Sequence, residues 1–577
     1  MCGIAAIVGA GEHPAIRRMV GVQKHRGPDA EGVWKSRDGL CSLGHCRLSV
    51  IDLSDAGRQP MHSADGRYHI VYNGEVYNYL ELRQELESTV SFRTATDTEV
   101  LLAAYAQWGP ACLQRLLGMF AFAIWDDRNK TFFAARDRFG VKPLYVHEDT
   151  GLVLFASEIK ALHAAGVPRE PDEATWATYL ALGMYDHTEA TFWKFIRQVP
   201  PGHYVEWTQA QGLRVRRWYD AAEAVLNAGE DQRSDEAVAD ELLALLEDTV
   251  RLRFRADVPV GVCLSGGLDS SLLLGLIRRV MGTDTSVHAF TFATGDARYD
   301  EAPWVQKMLA KTLHPWHLCV LCPDEVPDLA SEVARFQDEP YGGLPTLGMA
   351  KVHQQARECG VVVLLDGNGM DEAWAGYEYY ARAGRVDAAL GPVQGSRGRS
   401  VLPDCLNPEF RKLARPFVPD APFEDALRNL QYRDLRRAKI PRAMRFADRV
   451  SMMFSRELRE PFLDHRIVEL GLRQKADRKM RNGVGKWLPR QVAGTLLPPS
   501  VQEAPKRPVQ TPQREWLAGP LARWAGELIE AALAGRGAQW LDAEAVRRHW
   551  LDYRTHGADN SFPIWQWISL GMMCASL

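Results

Sequence analysis

A cysteine stands at position 2, directly behind the initiator methionine. Its small side chain permits removal of Met1, which would leave a thiol of pKa ~8.5 on the residue that also carries the α-amine, pKa ~7.7–8.0. Such an amine can take the thiol proton near neutral pH, so that nucleophile and base reside on one residue. A second pattern, LSGGLDSS at 264–271, follows an apolar run and precedes an apolar helical pattern. Its glycines free the backbone to wrap an anion, and the N–H groups of the helix N-terminus face that anion. No Lys follows the glycines, so this is not the Lys-containing phosphate loop of the common nucleotide-binding type.

The elements around these patterns are of two textures. Residues 1 to about 205 hold short β-type runs, among them 2–9, 32–34, 41–52, 68–78, 120–127, 131–138 and 152–158. Two helical patterns, at 79–88 and 97–109, interrupt them, which implies an α+β layered domain. From about 165 to 235 the chain suggests a return strand and then a polar connector ending in NAGEDQRSDEA. From about 236 helices and apolar runs alternate: helix 240–254, run 259–264, helix 272–282, then runs 287–293, 316–321 and 361–366. That pattern predicts a parallel sheet covered on both faces, with ligands at the carboxyl ends of its strands. Residues 420–577 are expected to be mainly helical.

Composition bounds the function. At ~150 residues per domain, 577 residues make two to four units, large enough to need no disulfide staple or structural metal. Sixty-nine basic against 73 acidic residues give a net charge of −4, which argues against a chain built mainly to hold nucleic acid or an anionic membrane. The ten cysteines are sparse and irregularly spaced, as in a reducing compartment. No apolar run approaches the ~18 residues that cross a bilayer. The start lacks a cationic region and breaks at Gly11 and Pro14, so a cytoplasmic location is expected.

Around Cys2, the segments MCGI, HRGPD (25–29), RLSVID (47–52), YNGEVYNY (72–79) and TDTE (96–99) come in an order that resembles the class II, N-terminal-nucleophile glutamine amidotransferase domain. The resemblance implies an αββα fold and hydrolysis of glutamine to glutamate and ammonia through a thioester on Cys2. The residues suit that chemistry: Asn73 and the N–H of Gly74 could stabilise an oxyanion, where one donor contributes ~3–4 kcal/mol. Arg47 could grip the glutamine carboxylate and Asp97 its ammonium. Leu48, Ser49, Val50, Ile51 and Glu75 complete the implied glutamine site.

The 264–271 loop resembles that of ATP pyrophosphatases. With the segments 299–310, 366–377, 448–469 and 479–490, the remainder is similar to the synthetase domain of the glutamine-hydrolysing asparagine synthetase family. The implied division is a glutaminase domain at 1–210 and, at 236–577, a doubly wound parallel-sheet domain of the adenine nucleotide alpha hydrolase type. Ser265, Gly266, Gly267, Asp269 and Ser270 would surround ATP phosphates. Leu264 and Phe292 would flank the adenosine, with Asp366 and Gly367 beneath it. Asp269 and Asp371 are the matched Mg²⁺ ligands, and Lys486 would offset charge on departing pyrophosphate. A carbon–nitrogen ligase follows, in which ammonia amidates an adenylated carboxylate, aspartate being the first choice. An internal ammonia tunnel and a homodimer are further implications.

Two segments depart from the family pattern. Asn368 stands where many relatives have Glu, a position associated with ammonia addition, and Lys506–Val509 replaces a common Lys-x-Gly-Phe. Both put the acceptor in question, so another carboxylate, such as a sugar acid or a natural-product intermediate, is the alternative. A tRNA-modifying enzyme is a more distant one, raised by the basic stretch 433–449. That stretch lacks regularly interleaved aromatics and suggests a helical face near the nucleotide site. Cys319 and Cys322 have no second ligand pair at zinc spacing, and Cys41 and Cys46 are expected to be packed thiols.

Overall fold

The computed structural model describes all of the chain except residues 12, 283–284, 286, 313, 384–400, 505–510, 558–559 and 575–577, and the side chains of 311 and 574. The first half contains β1 (Gly3–Gly9), β2 (Ala30–Lys35), β3 (Cys41–Arg47), β4 (Met61–His62), β5 (Tyr68–Val76), β6 (Gly118–Asp126), β7 (Thr131–Arg136), β8 (Tyr145–Asp149), β9 (Leu152–Ala156), β10 (Arg197–Gln198), β11 (His203–Thr208) and β12 (Gly212–Arg217). They form two antiparallel six-stranded sheets, ordered β10-β8-β9-β1-β3-β2 and β12-β11-β7-β6-β5-β4.

Strand alternation builds the layers. In β1, Ile4, Ala6 and Val8 enter the core between the sheets, while Ala5 and Ile7 join the cluster that includes the helix Ala15–Gly21. In β6, Ala121, Ala123 and Trp125 face the other sheet, and Phe120, Phe122 and Ile124 pack with residues of the helix Asp97–Trp108. The αββα order follows from this two-sided burial.

The helices Tyr79–Leu86 and Asp97–Trp108 occupy the two expected segments, but the helices Ala15–Gly21, Ile159–Ala165 and Glu173–Leu182 are additions. Two of these span seven residues, too short to show a helical period. The third is buried on nearly all sides, from Trp176 to Ala181, and so has no polar face to reveal it. The connector is shorter than its polarity suggests, because the helix Ala221–Ala228 and the helix Asp235–Arg253 leave only residues 229–234 between them.

The second half holds β13 (Val260–Cys263), β14 (His288–Ala293), β15 (Trp316–Val320), β16 (Val363–Leu365) and β17 (Glu457–Arg459), all parallel in the order β15-β14-β13-β16-β17. Strand β17 lies in the region expected to be helical. Its Glu-Leu-Arg sequence has no apolar run, since its polar ends are satisfied by partners from elsewhere in the chain.

The basic stretch 433–449 is helical, as expected, and Ala447 packs with the cavity-lining Phe290 and Val352, but several of its charges are matched within the fold. Arg445 and Arg449, on the helix Ile440–Met453, turn toward the first half of the chain. Arg445 Nε donates to Asp186 at 2.7 Å, and Arg449 Nη1 lies 3.3 Å from Glu158. On the same helix Asp448 receives both terminal nitrogens of Arg26, at 2.8 and 3.0 Å, and Arg26 also reaches Glu158 at 2.8 Å. These side chains are buried, so their charges must be matched locally. Removing one member of such a network destabilises by ~3–5 kcal/mol. Asp448→Ala is therefore expected to lower the thermal and urea midpoints markedly, and an unchanged midpoint would contradict the structural weight given to this network.

Candidate functional site

The first site lies at the start of β1, where the chain end meets β5 and the loop after β3. One pocket is lined by Met1, Cys2, Arg47, Leu48, Val50, Ile51, Gly57, Gln59, Tyr72, Gly74, Glu75, Thr96, Asp97 and Thr98. Asn73 is fully buried, and its Oδ1 accepts from the Cys2 nitrogen at 2.9 Å while its Nδ2 has no hydrogen-bond partner. A buried amide donor left open beside a thiol is poised for an oxygen atom that a ligand brings. Gly74 is required sterically, since a Cβ there would stand 2.1 Å from the Met119 carbonyl oxygen.

Burial pushes the Cys2 thiol above its ordinary range, against the pull of the nearby N-terminal ammonium. That ammonium belongs to Met1 and contacts Glu457 Oε2 at 2.7 Å, with both groups fully buried. While Met1 is attached, the Cys2 nitrogen is an amide with no basic lone pair. The amine chemistry read from the sequence therefore requires removal of Met1.

Arg47 donates to the carbonyls of Ser54 at 2.6 Å, Ile51 and Asp52. It thus holds the 48–54 loop around the pocket, and Gly57 leaves it room, since a Cβ would come 2.0 Å from Nη2. Nη2 gives both of its N–H groups to Ile51 and Asp52, whereas Nη1 keeps a second N–H for a ligand. Asp97, at the first turn of the helix Asp97–Trp108, accepts from Tyr72 Oη at 2.8 Å and Val76 N at 2.9 Å. Burial raises it to about 6 against those hydrogen bonds. Of the residues assigned to this site, Asn73 and Ser49 are not in the pocket lining: Asn73 bonds the Cys2 nitrogen from a buried position, and Ser49 lines an adjoining groove that shares Arg47 and Leu48, its amide donating to Asp29 at 2.7 Å. Gln59, Tyr72, Thr96 and Thr98 line the pocket without having been singled out. Tyr72 and the two threonines adjoin the Asn73 and Asp97 motifs, whereas Gln59 had no sequence signal.

The second site lies at the carboxyl ends of the parallel strands. After β13, Ser265 N donates to Ser270 Oγ at 3.1 Å, and the two hydroxyls stand 3.0 Å apart. Gly266 has φ +68°, a left-handed conformation suited to glycine, and Gly267 caps the helix Leu268–Met281. This turn aims helix N–H groups at the space above the loop. Lys486 Nζ contacts Asp269 Oδ2 at 2.5 Å and also Asp371 Oδ1. Gly376 makes that convergence sterically possible: a Cβ there would lie 1.9 Å from Asp371 Oδ1 and 2.2 Å from Lys486 Cε.

Beside the loop, a largely apolar cavity is lined by Cys263, Leu264, Ser265, Phe290, Phe292, Pro345, Met349, Val352 and Asp366 among others. The helix Leu344–Glu358 closes one wall, its Gly348 lying against the Phe292 ring where a Cβ would be 2.8 Å away. Gly367 also packs on the loop, where a Cβ would lie 3.2 Å from the Asp269 Cβ. Asp366 Oδ2 accepts from Asn368 Nδ2 at 3.0 Å, and the same amide reaches Glu460 Oε1 at 3.3 Å. Glu460 Oε2 is buried with no hydrogen-bond partner, and burial followed by the neighbouring Asp366 raises this carboxyl well above the usual range. Sequence reasoning missed Glu460 because only the register of β17 brings it beside Asn368. Lys506–Val509 lies outside the described residues.

A family model described as a glutamine amidotransferase domain matches residues 1–219, and one described as asparagine synthase matches residues 241–575. A Mycobacterium bovis protein, provisionally named a glutamine-hydrolyzing asparagine synthetase, is 32% identical over 98% of this chain and 95% of its own. Asparagine synthetase (glutamine-hydrolyzing) 1 of Bacillus subtilis is 28% identical over 98% and 95% of the two chains. Amidase chry2 of Gibberella zeae is 26% identical over 92% of each.

Proposed function

We propose, from the premise that this chain belongs to the glutamine-hydrolysing asparagine synthetase family, that a glutaminase unit at 1–210 supplies ammonia to a synthetase unit at 236–577. The synthetase unit adenylates a carboxylate with ATP, and ammonia converts the acyl adenylate to an amide with release of AMP. The observation that carries the first half is the open, buried Nδ2 of Asn73 beside Cys2. Attack of the Cys2 thiolate on the glutamine carboxamide carbon puts negative charge on its oxygen, and Asn73 Nδ2 with the Gly74 N–H would receive it. Arg47 and Asp97 would hold the glutamine carboxylate and ammonium. Collapse releases ammonia and leaves a thioester that water hydrolyses to glutamate.

In the second half, Ser265, Gly266, Gly267 and Ser270 would cradle the ATP phosphates, and Leu264, Phe292, Asp366 and Gly367 would hold the adenosine. Asp269 and Asp371 offer an all-oxygen, anionic set that already converges on one cation, the ammonium of Lys486, and so suits Mg²⁺. When bound, Mg²⁺ would supply charge neutralisation on the phosphates. Lys486 would then turn its charge to the departing pyrophosphate. Glu460 brings a carboxyl to the face where Asn368 stands, and would take a proton from the attacking ammonia as the amide forms. This reading implies a reducing, cytoplasmic setting for the thiol.

Aspartate is the first-choice acceptor. The Asn368–Glu460 arrangement, with a carboxyl supplied from just past β17 where position 368 itself has an amide, supports a different carboxylate as the second reading. Pyrophosphate release measured against a panel of carboxylates separates the two: stimulation by aspartate is expected, and stimulation only by another acid would overturn the first choice. Cys2→Ala is expected to abolish glutamine-driven amide formation by more than ~10³-fold while leaving synthesis from added ammonia. Loss of both activities with the fold intact would refute the division of labour. Glu460→Gln should leave pyrophosphate release in place yet slow amide formation from ammonia by ~10²–10⁴-fold, the usual contribution of a positioned base.

A further inference from the structure

At the opposite end of the parallel sheet from the Ser265 loop, three side chains with no part in the chemistry above come together. His288 is the first residue of β14, His317 the second of β15, and Cys359 caps the C-terminus of the helix Leu344–Glu358. Nδ1 of His288 stands 2.9 Å from Nε2 of His317, and Cys359 Sγ lies 4.0 Å from that same Nε2. One ligand atom from each residue falls within 4.8 Å of the other two. The Phe290 ring stacks on His317, with centroids 4.9 Å apart, and fixes the plane of the imidazole. All three residues are half-buried, open enough for an ion to enter and enclosed enough to be held in place.

We propose that His288, His317 and Cys359 form a binding site for a single Zn²⁺, with a water molecule in the fourth position. Two imidazoles and one thiolate are a borderline-soft set that selects zinc over Mg²⁺ or Ca²⁺. With Zn–N near ~2.0–2.1 Å and Zn–S near ~2.3 Å, tetrahedral coordination places ligand atoms ~3.4–3.6 Å apart. The two nitrogens need to open by about half an ångström, and the sulfur to close by about half an ångström on His317 and by up to about 1.2 Å on His288, which rotation of half-buried side chains supplies. The hydrogen shared between the two rings shifts to a nitrogen that does not bind, and the thiol releases its proton to solvent, so each Zn²⁺ bound frees one proton.

The sequence hid this site because its members are separated by 29 and 42 residues and belong to three elements. The pair with a zinc-like spacing, Cys319 and Cys322, is divided instead: Cys319 is buried and Cys322 exposed. The consequence is mechanical. The helix that Cys359 caps carries Pro345, Met349, Val352 and His353 into the wall of the adenosine-sized cavity, and β14 carries Phe290 and Phe292 into it. An ion at this site would tie the far ends of those two walls together.

The test is titration of the full chain, freed of metal by chelator, with Co²⁺ as a spectroscopic probe and Zn²⁺ as competitor. One equivalent of Co²⁺ is expected to give a thiolate-to-cobalt charge-transfer band and tetrahedral d–d bands, displaced by Zn²⁺ with release of one proton. Cys359→Ser and, separately, His317→Ala should weaken binding by at least ~100-fold, and Cys322→Ser should leave it unchanged. Circular dichroism checks that each variant is folded. If a variant unfolds, His288→Ala provides the same readout. No stoichiometric binding, or binding that survives loss of Cys359 and His317 but not of Cys322, would overturn the assignment. None of these readouts depends on the amidotransferase reading.

Discussion

A carboxylate at one edge of the parallel sheet joins the two halves of the molecule. Glu457, at the start of β17, takes the Met1 ammonium on one oxygen and Arg459 Nε on the other, at 2.7 and 2.6 Å. Burial alone would raise this carboxyl, but those two cations bring it down to about 2. Arg459 in turn donates to the carbonyls of Arg253 and Arg255 at the end of the helix Asp235–Arg253, and its Nη2 lies 3.6 Å from Glu75. A short chain of matched charges therefore runs from the thiol pocket into the strand edge of the synthetase sheet. Because these groups are buried, a charge that moves strands its partner, and removal of Met1 would leave Glu457 to the new terminal ammonium and Arg459.

That constraint explains how the two sites sit relative to each other. Strand β17 carries Glu457 toward the chain terminus and, one residue past the strand, Glu460 toward Asn368 and Asp366. The thiol pocket and the nucleotide-loop side are thus opposite ends of one four-residue segment. Arg26 adds a second fixture: its Nε donates to the Cys2 carbonyl at 2.9 Å while its terminal nitrogens bind Asp448 on the helix that leads into β17. The backbone of Cys2 is in this way positioned by residues from both halves, a tighter arrangement than a flexible terminus would allow on its own.

Within each site, small residues determine what can approach. Gly57 admits the Arg47 guanidinium, Gly74 admits the Met119 carbonyl, Gly376 admits Asp371 with Lys486, and Gly348 admits the Phe292 ring. In each case a Cβ would stand closer than 3.0 Å to a neighbouring atom, so glycine here is dictated by contact distance. The polar groups follow a related rule. Those with local partners, such as Asp97 and Arg47, shape the pockets, whereas the Asn73 amide nitrogen and the second Glu460 oxygen are buried without a hydrogen-bond partner.

Much of this was legible in the sequence because the motifs are local. Cys2, Asn73–Gly74, Asp97 and the 264–271 loop each sit in a segment whose residues adjoin in chain order, and short β-type runs, with apolar runs between helical patterns, revealed the strands near them. Helices shorter than two turns escaped, as did the buried helix Glu173–Leu182, because periodicity needs both length and a polar face. The role of the basic stretch escaped as well, since a charge run looks the same whether it meets solvent or a carboxylate 259 residues away, as at Arg445 and Asp186. The sequence by itself determined the residue chemistry and the two layered architectures. The tertiary structure alone decided which distant groups face one another: Glu457 with the terminus, Glu460 with Asn368, and His288 with His317 and Cys359. Partners across a fold are set by strand register and packing, which no spacing along the chain encodes.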